Sequence, residues 1–351
     1  MRLIECVPNF SEGRDQNVID SIVAAISSVD AVKVLDVDTV RDAGRTVVTF
    51  IGEPSAVCEA AFAAVRTSAE LIDMRMHHGT HPRLGATDVL PLIPLSGTTI
   101  EECVTLARGL AQRIWEELGI PCYCYEAAAF VPDRANLAVC RSGEYEALPA
   151  KIADPSRRPD FGPSVPGAAA LTWESLPERI ARSGACNVGA RKFLIAVNFN
   201  LDTTSVPAAT AIAREVRESG YHGVPGTLKG CKALGWYIEE YGLAQVTMNV
   251  TDIDATPLHV AYEEVCRVAA LHGLHVTGTE IIGMLPARAL LEAGAHFASA
   301  SSSSAVASPA DPRSAEARAL MELAVREMHL DWHTQFELDK RVIELAAGDI
   351  L

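Results

Sequence analysis

The sequence is short of basic side chains, with 30 Lys and Arg against 45 Asp and Glu in 351 residues and a formal net charge of −15 at pH 7. A general nucleic-acid-binding protein needs clustered Lys and Arg to neutralise phosphates. We therefore expect no nucleic-acid partner. Any anionic ligand of this chain requires a pocket that is locally basic.

Long apolar runs are also missing. Only Leu3 and Ile4 stand between Arg2 and Glu5, so no signal-peptide hydrophobic region is predicted, and no stretch is long enough to cross a bilayer. The nine cysteines are odd in number and scattered, which does not fit a disulfide framework. We expect a cytoplasmic protein with buried thiols and no membrane contact.

Three common catalytic motifs are absent as well. The chain has no G-x-S-x-G elbow, no P-loop and no G-x-G-x-x-G between a strand and a helix. Serine hydrolase, nucleotide hydrolase and dinucleotide-dependent chemistry therefore have no support. What the chain has is a histidine-rich segment at residues 71–88.

In that segment His77, His78 and His81 lie between a predicted helix and a predicted strand. Gly79 and Pro82 interrupt helical geometry, so the sequence predicts a sharply turned loop. Histidine titrates near neutral pH, and a nearby carboxylate can orient it as a general acid or base. Two other interpretations stay open. One is a polar helix end whose histidines cap carbonyls, and the other is a zinc site, which the two helix-breaking residues disfavour.

Polar side chains also alternate along two predicted strands. Asp36 and Asp38 share one face of the first, where one of them could orient an imidazole, or both could belong to a polar turn. Asn198 and Asn200 share a face of the second. That face indicates either a ligand groove or a solvated sheet surface.

The predicted elements follow the order βαββαβ in each half of the chain. The predicted strands are residues 2–7, 32–37, 46–51, 89–95, 193–199, 231–238, 243–250 and 275–279, and the predicted helices are 15–26, a helix from Pro54, 207–218 and 257–270. The order is typical of ferredoxin-like domains, whose sheets carry helices on one face. The sequence thus predicts an α+β fold of two ferredoxin-like subdomains with helices on the outer faces.

Further segments lie outside this pattern. A helix is predicted after a capping box of Thr98 and Glu101, and another from Pro312, capped by Asp311. Residues 142–187 are predicted to form a long connector that contains a short helical segment around residues 174–182. Residues 298–309 are predicted to form a flexible tether.

Colinear segments along the whole chain match a known family. In chain order they are Glu5–Gly13, Leu35–Asp38, Arg45–Val47, His81–Val89, Gly143–Pro149, Pro159–Pro163, Gly189–Ala196, Gly235–Tyr237, Ala244–Val246 and Glu280–Gly283. Through them the chain resembles the glutamate formimidoyltransferase family. The resemblance implies a folate-dependent transferase, usually a homodimer, whose two subdomains enclose a substrate tunnel. Residues 1–187 would be the N-terminal formiminotransferase subdomain with the histidine loop and connector, and 188–351 the C-terminal one.

The resemblance also assigns candidate site residues. The family's catalytic histidine falls on His81, and its acidic partner resembles Asp38. We expect cations to hold the carboxylates of the substrates, because the net charge of the chain repels them. The candidate substrate and folate ligands are Asn9, Arg45, Arg83, Arg191 and Lys192, together with the ends of the family's folate-binding segment, Gly162, Pro163 and Ser164 at its start and Gly184 at its close. No metal is expected.

The implied reaction is transfer of a formimino group from N-formimino-L-glutamate to N5 of tetrahydrofolate, the co-substrate, as in histidine degradation. His81 would take the N5 proton and return it to the departing amine while Asp38 fixes its tautomer. His78 and Thr80 stand where the family more often has Lys and Glu. Two alternatives stay open: a folate-dependent transferase with another donor, such as N-formylglutamate or formiminoglycine, and a non-catalytic protein that binds folate or an amino acid.

Overall fold

A computed structural model of the chain describes residues 2–41, 43–79, 81–164, 171–300 and 305–348. It divides into two compact units, the first ending at Lys192 and the second beginning at Phe193. Each unit combines one β-sheet with α-helices. The predicted α+β class is therefore confirmed.

The elements of the two units follow one another in chain order. The first unit contains β1 (Leu3–Cys6), β2 (Asn9–Phe10), α1 (Gln16–Ser27), β3 (Val32–Val40), β4 (Arg45–Gly52), α2 (Pro54–Leu71), β5 (Thr87–Ser96), α3 (Ile100–Arg113), β6 (Cys122–Glu126), α4 (Leu137–Arg141), α5 (Leu148–Ala153), α6 (Glu178–Ser183) and β7 (Cys186–Ala190). The second contains β8 (Ile195–Leu201), α7 (Val206–Val216), β9 (Cys231–Ile238), β10 (Leu243–Val250), α8 (Leu258–Leu271), β11 (Val276–Ile282), α9 (Ala287–Ala300), α10 (Ala315–Glu327), α11 (Leu338–Arg341) and α12 (Ile343–Ala346).

The sheet of the first unit begins with β3, which pairs with β4. β1 and the short β2 both pair antiparallel with β4 on one side and β5 on the other. β7 then joins β5 to β6 through two parallel pairs. The sequence did not predict β2, which is only two residues long, or β7, whose Gly and Ala have low strand propensity. Because β7 pairs with β5, residues 188–190 belong to the first sheet.

One face of this sheet packs against the helices α1, α2 and α3. Phe50 and Leu90 from the strands meet Val57 and Val65 of α2 and Ala107 of α3 in one buried apolar cluster. The helix α2 begins at Pro54 as predicted, since proline at the first helical position has no N–H to satisfy. The polar residues of the candidate site lie on the other face of the sheet and in the loops.

The sheet of the second unit is antiparallel throughout, with strand order β11-β8-β10-β9. Val197, Val246 and Met248 from its strands and Ile212 of α7 belong to one buried cluster. The predicted bounds of β9 and β10 are confirmed. The strands β8 and β11 extend beyond the predicted C-terminal ends at 199 and 279 because both continue to pair there.

Two predicted helix starts are wrong. The capping box is formed by Thr99 and Glu102, since the hydroxyl of Thr98 turns back to the Ser96 carbonyl. The helix predicted from Pro312 begins at Ala315 with Ser314 as its N-cap. Asp311 instead accepts from the N–H of Arg313 in the preceding turn.

The predicted connector, residues 142–187, is wrong where it contains α5, which was not predicted. The short helical segment predicted around residues 174–182 is present as α6. Leu148, Ile152 and Ile180 of these helices pack with Tyr123 and Tyr125 of β6 in a separate buried cluster. Prolines indicated a loop, but Pro149 lies in the first turn of α5 and Pro177 is the N-cap of α6, and proline is tolerated at the start of a helix. Residues 165–170 of the segment, and 301–304 of the predicted tether, lie outside the described residues.

Within the described ranges, no helix is long and apolar enough to span a membrane, and no group of three potential ligands is arranged to hold a metal ion. The nine cysteines are free thiols, and Cys122 and Cys124 are buried, as predicted for them.

Lys151 links α5 to α4 inside the separate cluster. Its ammonium donates to the Cys140 carbonyl and lies 4.7 Å from the centre of the Tyr123 ring. Burial lowers the pKa of Lys151 from 10.5 to about 8. The unfolded chain therefore binds more protons than the folded one between about pH 8 and 10.5, and the Lys151 contribution to the free energy of unfolding rises with pH across that window.

We expect Lys151→Met to lack this pH-dependent contribution, whatever its effect on stability at pH 7. Urea titrations of both proteins at about pH 7, 9 and 10 measure it as the difference between their free energies of unfolding. Cysteines titrate in this window in the unfolded chain, but they are common to both proteins, so their contribution cancels in the difference. A difference that stays constant with pH would contradict the prediction.

Candidate active site

The histidine loop, residues 72–86, connects α2 to β5, as the sequence predicts. Its two ends are fixed to the last two residues of α6. The Met74 N–H donates to the Arg182 carbonyl over 2.8 Å, and the Ala86 N–H donates to the Ser183 carbonyl over 2.8 Å. A segment about a hundred residues later in the sequence therefore sets the path of the loop.

Gly184 makes this crossing possible. It has a φ of +68°, and a Cβ there would meet the Leu84 carbonyl oxygen at 2.3 Å. Backbone conformations of this kind exclude most L-residues. The resemblance predicts that Gly184 closes a folate-binding segment. In the structure, Gly184 is the residue that lets the backbone pass close to Leu84 of the histidine loop.

His77 ties the same loop to the turn between β3 and β4. Its Nε2 lies 2.9 Å from the Gly44 carbonyl oxygen, and burial lowers its pKa. His78 is exposed. His77 and His78 therefore have different surroundings, and the structure gives His77 a contact that orders the loop.

His81 is half-buried at the tip of the loop. Burial, and then the positive charges of Arg45 and Arg141, lower the pKa of His81 from 6.5 to about 4. The imidazole is therefore neutral at pH 7 and able to accept a proton.

Arg141, at the end of α4, is held by a buried carboxylate. It forms an ion pair with Asp88 of β5, which is 2% exposed. The other carboxylate oxygen of Asp88 accepts from the Leu84 N–H over 2.9 Å. The Asp88 carbonyl accepts from the Asn187 side chain over 2.8 Å. Asp88 thus joins the histidine loop, the sheet and α4 at one point.

Arg45, the first residue of β4, is the second cation beside His81. Burial and the nearby Arg141 lower its pKa, while Asp88 and Asp38 act in the opposite direction. Arg45 donates no side-chain hydrogen bond to any residue that the structure describes. Its Nε is buried without a partner there, and so is the Nε of Arg141.

Asn9, Asp38 and Arg45 share one face of the first sheet. Asn9 and Asp38 both lie opposite Val47, two residues along β4 from Arg45, and side chains two residues apart in a strand point the same way. Asn9 is buried and Asp38 is exposed. Asp38 interacts electrostatically with Arg45, whereas the charges that act on His81 are Arg45 and Arg141. The predicted orientation of His81 by Asp38 stays a prediction.

Arg83 is engaged within the chain itself. It forms ion pairs with Glu144 over 3.0 Å and Glu146 over 2.6 Å, and its carbonyl accepts from the Tyr145 N–H. Because two carboxylates already neutralise it, we do not place Arg83 among the substrate ligands proposed below.

The remaining predicted residues lie elsewhere in the first unit. The Arg191 N–H donates to the Leu92 carbonyl, at the end of β7, and Lys192 is exposed. Gly162, Pro163 and Ser164 follow Phe161, which exchanges two backbone hydrogen bonds with Cys122.

Amide side chains of the second sheet are buried rather than solvated. Gln245 donates to Asn200 over 2.5 Å and accepts from the Trp236 indole over 2.8 Å. Asn200 and Gln245 are both 0% exposed. Asn198 is also buried, with 5% exposed, so the interpretation of the face that carries Asn198 and Asn200 as a solvated surface is wrong.

Sequence reasoning missed Arg141 and Asp88 as members of the site. Asp88 stands at the start of an apolar strand, and a buried carboxylate needs a cation, so a partner for it was foreseeable. The identity of that cation was not foreseeable, because Arg141 lies 53 residues after Asp88 in the sequence, beyond α3 and β6.

Two family profiles match the chain. The profile described as "Formiminotransferase domain, N-terminal subdomain" matches residues 3–172. The profile described as "Formiminotransferase domain" matches residues 196–347. The two matched ranges lie in the two compact units.

Curated relatives carry related names. A "Glutamate formimidoyltransferase" of Thermoplasma acidophilum is 42% identical over 85% of this chain and 92% of the relative, and one of Streptococcus pyogenes serotype M1 is 39% identical over 84% and 93%. The "Formimidoyltransferase-cyclodeaminase" of Rattus norvegicus is 43% identical over 99% of this chain, which spans 60% of that relative's length. The chain belongs to the formiminotransferase family.

Proposed function

We propose that this chain transfers a formimino group from N-formimino-L-glutamate to N5 of tetrahydrofolate, releasing glutamate. The observation that carries the proposal is the match, along nearly their whole length, to relatives named glutamate formimidoyltransferase. The half-buried neutral His81 beside two arginines supplies the groups that this chemistry requires. The names of the relatives favour this donor over N-formylglutamate or formiminoglycine, and an enzyme over a non-catalytic binding protein.

The reaction exchanges one proton between two nitrogens. N5 attacks the amidine carbon, and the bond from that carbon to the glutamate nitrogen breaks. N5 loses its proton and the departing nitrogen gains one. Neutral His81 serves as the base in the first half and, once protonated, as the acid in the second.

We assign supporting roles to residues around His81. The amidine group is a cation, so the exposed carboxylate of Asp38 attracts it to the sheet edge beside Arg45. The segment that begins at Gly162, Pro163 and Ser164 is proposed to contact folate, because Phe161 fixes its start against β6. Arg191 and Lys192 are proposed for the folate carboxylates.

We also infer a ferredoxin-like arrangement in each unit. The strand orders β5-β1-β4-β3 and β11-β8-β10-β9 support it, since both follow the 4-1-3-2 order of a βαββαβ sheet. The assignment of the two units as N- and C-terminal formiminotransferase subdomains rests on the matched ranges. The substrate tunnel, the homodimer and the cytoplasmic location stay predictions.

An assay of glutamate release from N-formimino-L-glutamate tests the activity. We expect release only when tetrahydrofolate is present, with one formimino group appearing on folate for each glutamate. Parallel reactions with N-formylglutamate and formiminoglycine test the other donors. Turnover with one of these alone would replace the proposed donor, and binding of folate without turnover of any donor would overturn the proposed enzyme.

A further inference from the structure

Two partly buried guanidinium groups lie close enough to interact in the candidate site. The positive charge of Arg141 lowers the pKa of Arg45, and both groups act on His81. Bringing like charges together away from water is unfavourable unless an anion compensates them. The pair therefore calls for negative charge at this point of the protein.

The described residues supply only part of that negative charge. Asp88 is bound by Arg141 and by the Leu84 N–H, so both of its oxygens are engaged. Asp38 also acts on Arg45, but it is exposed, and water weakens its interaction with the partly buried guanidinium groups. Among the described residues, Arg45 and Arg141 are therefore only partly compensated by Asp88 and Asp38, in a chain whose total charge is −15.

Hydrogen-bonding capacity is unused at the same place. Within the described ranges, the buried Nε atoms of Arg45 and Arg141 have no acceptor, and no side-chain hydrogen bond from Arg45 is made. A guanidinium offers N–H groups in a planar fork that fits a carboxylate through two parallel hydrogen bonds. A bound carboxylate would supply both the negative charge and the hydrogen-bond acceptors that this pair of arginines lacks among the described residues.

We propose that Arg45 and Arg141 bind the α-carboxylate of the amino-acid donor, and that Asp88 is a positioning residue that holds Arg141 for this contact. The inference rests on the proposed function and adds to it the group that is recognised. The α-carboxylate is chosen over the side-chain carboxylate because it is bonded to the same carbon as the reacting nitrogen. Cations that act on His81 are close to that nitrogen if His81 exchanges its proton.

Steady-state kinetics with two donors test this assignment. N-formimino-L-glutamate carries the α-carboxylate, whereas N-formimino-4-aminobutyrate is the same molecule without it. We expect Arg45→Gln and Arg141→Lys to raise the KM for the first donor by about tenfold to a hundredfold, the range for a lost hydrogen bond to a charged group. For the second donor the same variants should keep the wild-type KM.

Controls separate this effect from unfolding. Arg141→Lys keeps a cation for the buried Asp88, and Arg45→Gln removes a side chain that no described carboxylate binds by a hydrogen bond. Arg66→Gln changes the same charge at an exposed position of α2 and should leave both KM values unchanged. Thermal melts of each variant establish that it is folded before its kinetics are compared.

The outcomes distinguish the inference from the proposed function. One outcome overturns the inference and leaves the function standing. In it, the wild type turns over N-formimino-L-glutamate, and the two variants either raise the KM for both donors equally or raise it for neither. If the wild type turns over no donor, the function is overturned, and calorimetric titration with L-glutamate and 4-aminobutyrate decides the inference. Binding of L-glutamate alone, weakened in both variants, supports it. Binding of neither, or of both equally, overturns it.

Discussion

His81→Ala is expected to lower the rate of formimino transfer by about a hundredfold or more, the usual contribution of a general acid or base. The loop should keep its path, because its fixed points are Met74, Leu84 and Ala86 rather than the imidazole. Turnover at saturating substrates, together with thermal melts, measures the two effects separately. His78→Ala is the matched control, since His78 is exposed in the same loop and its removal should leave the rate unchanged.

The pH dependence provides a second check on His81. With a pKa of about 4, the free enzyme should keep its kcat/KM as the pH falls from 7 to 5 and lose it as His81 takes up a proton near pH 4. A rate that His81→Ala leaves intact, or a loss of kcat/KM near the ordinary histidine pKa of 6.5, would contradict the assignment.

The same lowered pKa has a consequence for stability. The unfolded chain protonates this imidazole near pH 6.5, whereas the folded chain does so only near pH 4. Between these values the unfolded state binds more protons, so the His81 contribution to stability is fully present above pH 6.5 and is lost as the pH falls through the window. His81→Ala should therefore flatten this part of the stability curve relative to His78→Ala.

Elements with a strong local signal were predicted well from the sequence. The alternation of Ala244, Val246, Met248 and Val250 gave the bounds of β10, and Pro54 marked the first residue of α2. Elements that depend on partners were not. The strand β7 exists because it lies between β5 and β6, and nothing in Cys186–Ala190 itself indicates a strand without those neighbours.

The candidate site divides in the same way. The histidine loop was found because glycine, proline and three histidines in one short segment indicate a functional loop, and the choice of His81 within it came from the resemblance to the family. The environment that sets its pKa comes from Arg45 on β4 and Arg141 on α4. Arg141 is brought there by its ion pair with Asp88, a tertiary contact that no local pattern in either segment specifies.

Gly184 lets the backbone after α6 pass close to the histidine loop, and Gly184→Ala should therefore lower both stability and activity. A Cβ at this position would meet the Leu84 carbonyl oxygen at 2.3 Å, and neither backbone can yield without breaking the hydrogen bond between the Ala86 N–H and the Ser183 carbonyl. Gly273→Ala is the matched control, since Gly273 has a similar φ of +70° with no atom within 4 Å of the added Cβ.

Comparison of the two variants shows how much more a Cβ costs at the crossing than at an open position of positive φ. Gly273→Ala should lose about 1–2 kcal/mol for placing alanine at positive φ, and Gly184→Ala at least as much, because its ψ of −141° lies outside the left-handed helical region. Gly184→Ala should lose about 1–3 kcal/mol more for the steric clash, and its turnover should fall because His81 moves with the loop. Urea unfolding and the glutamate-release assay measure the two losses. Equal destabilisation by the two variants, with normal turnover in both, would mean that the crossing of Gly184 and Leu84 does not hold the loop in place.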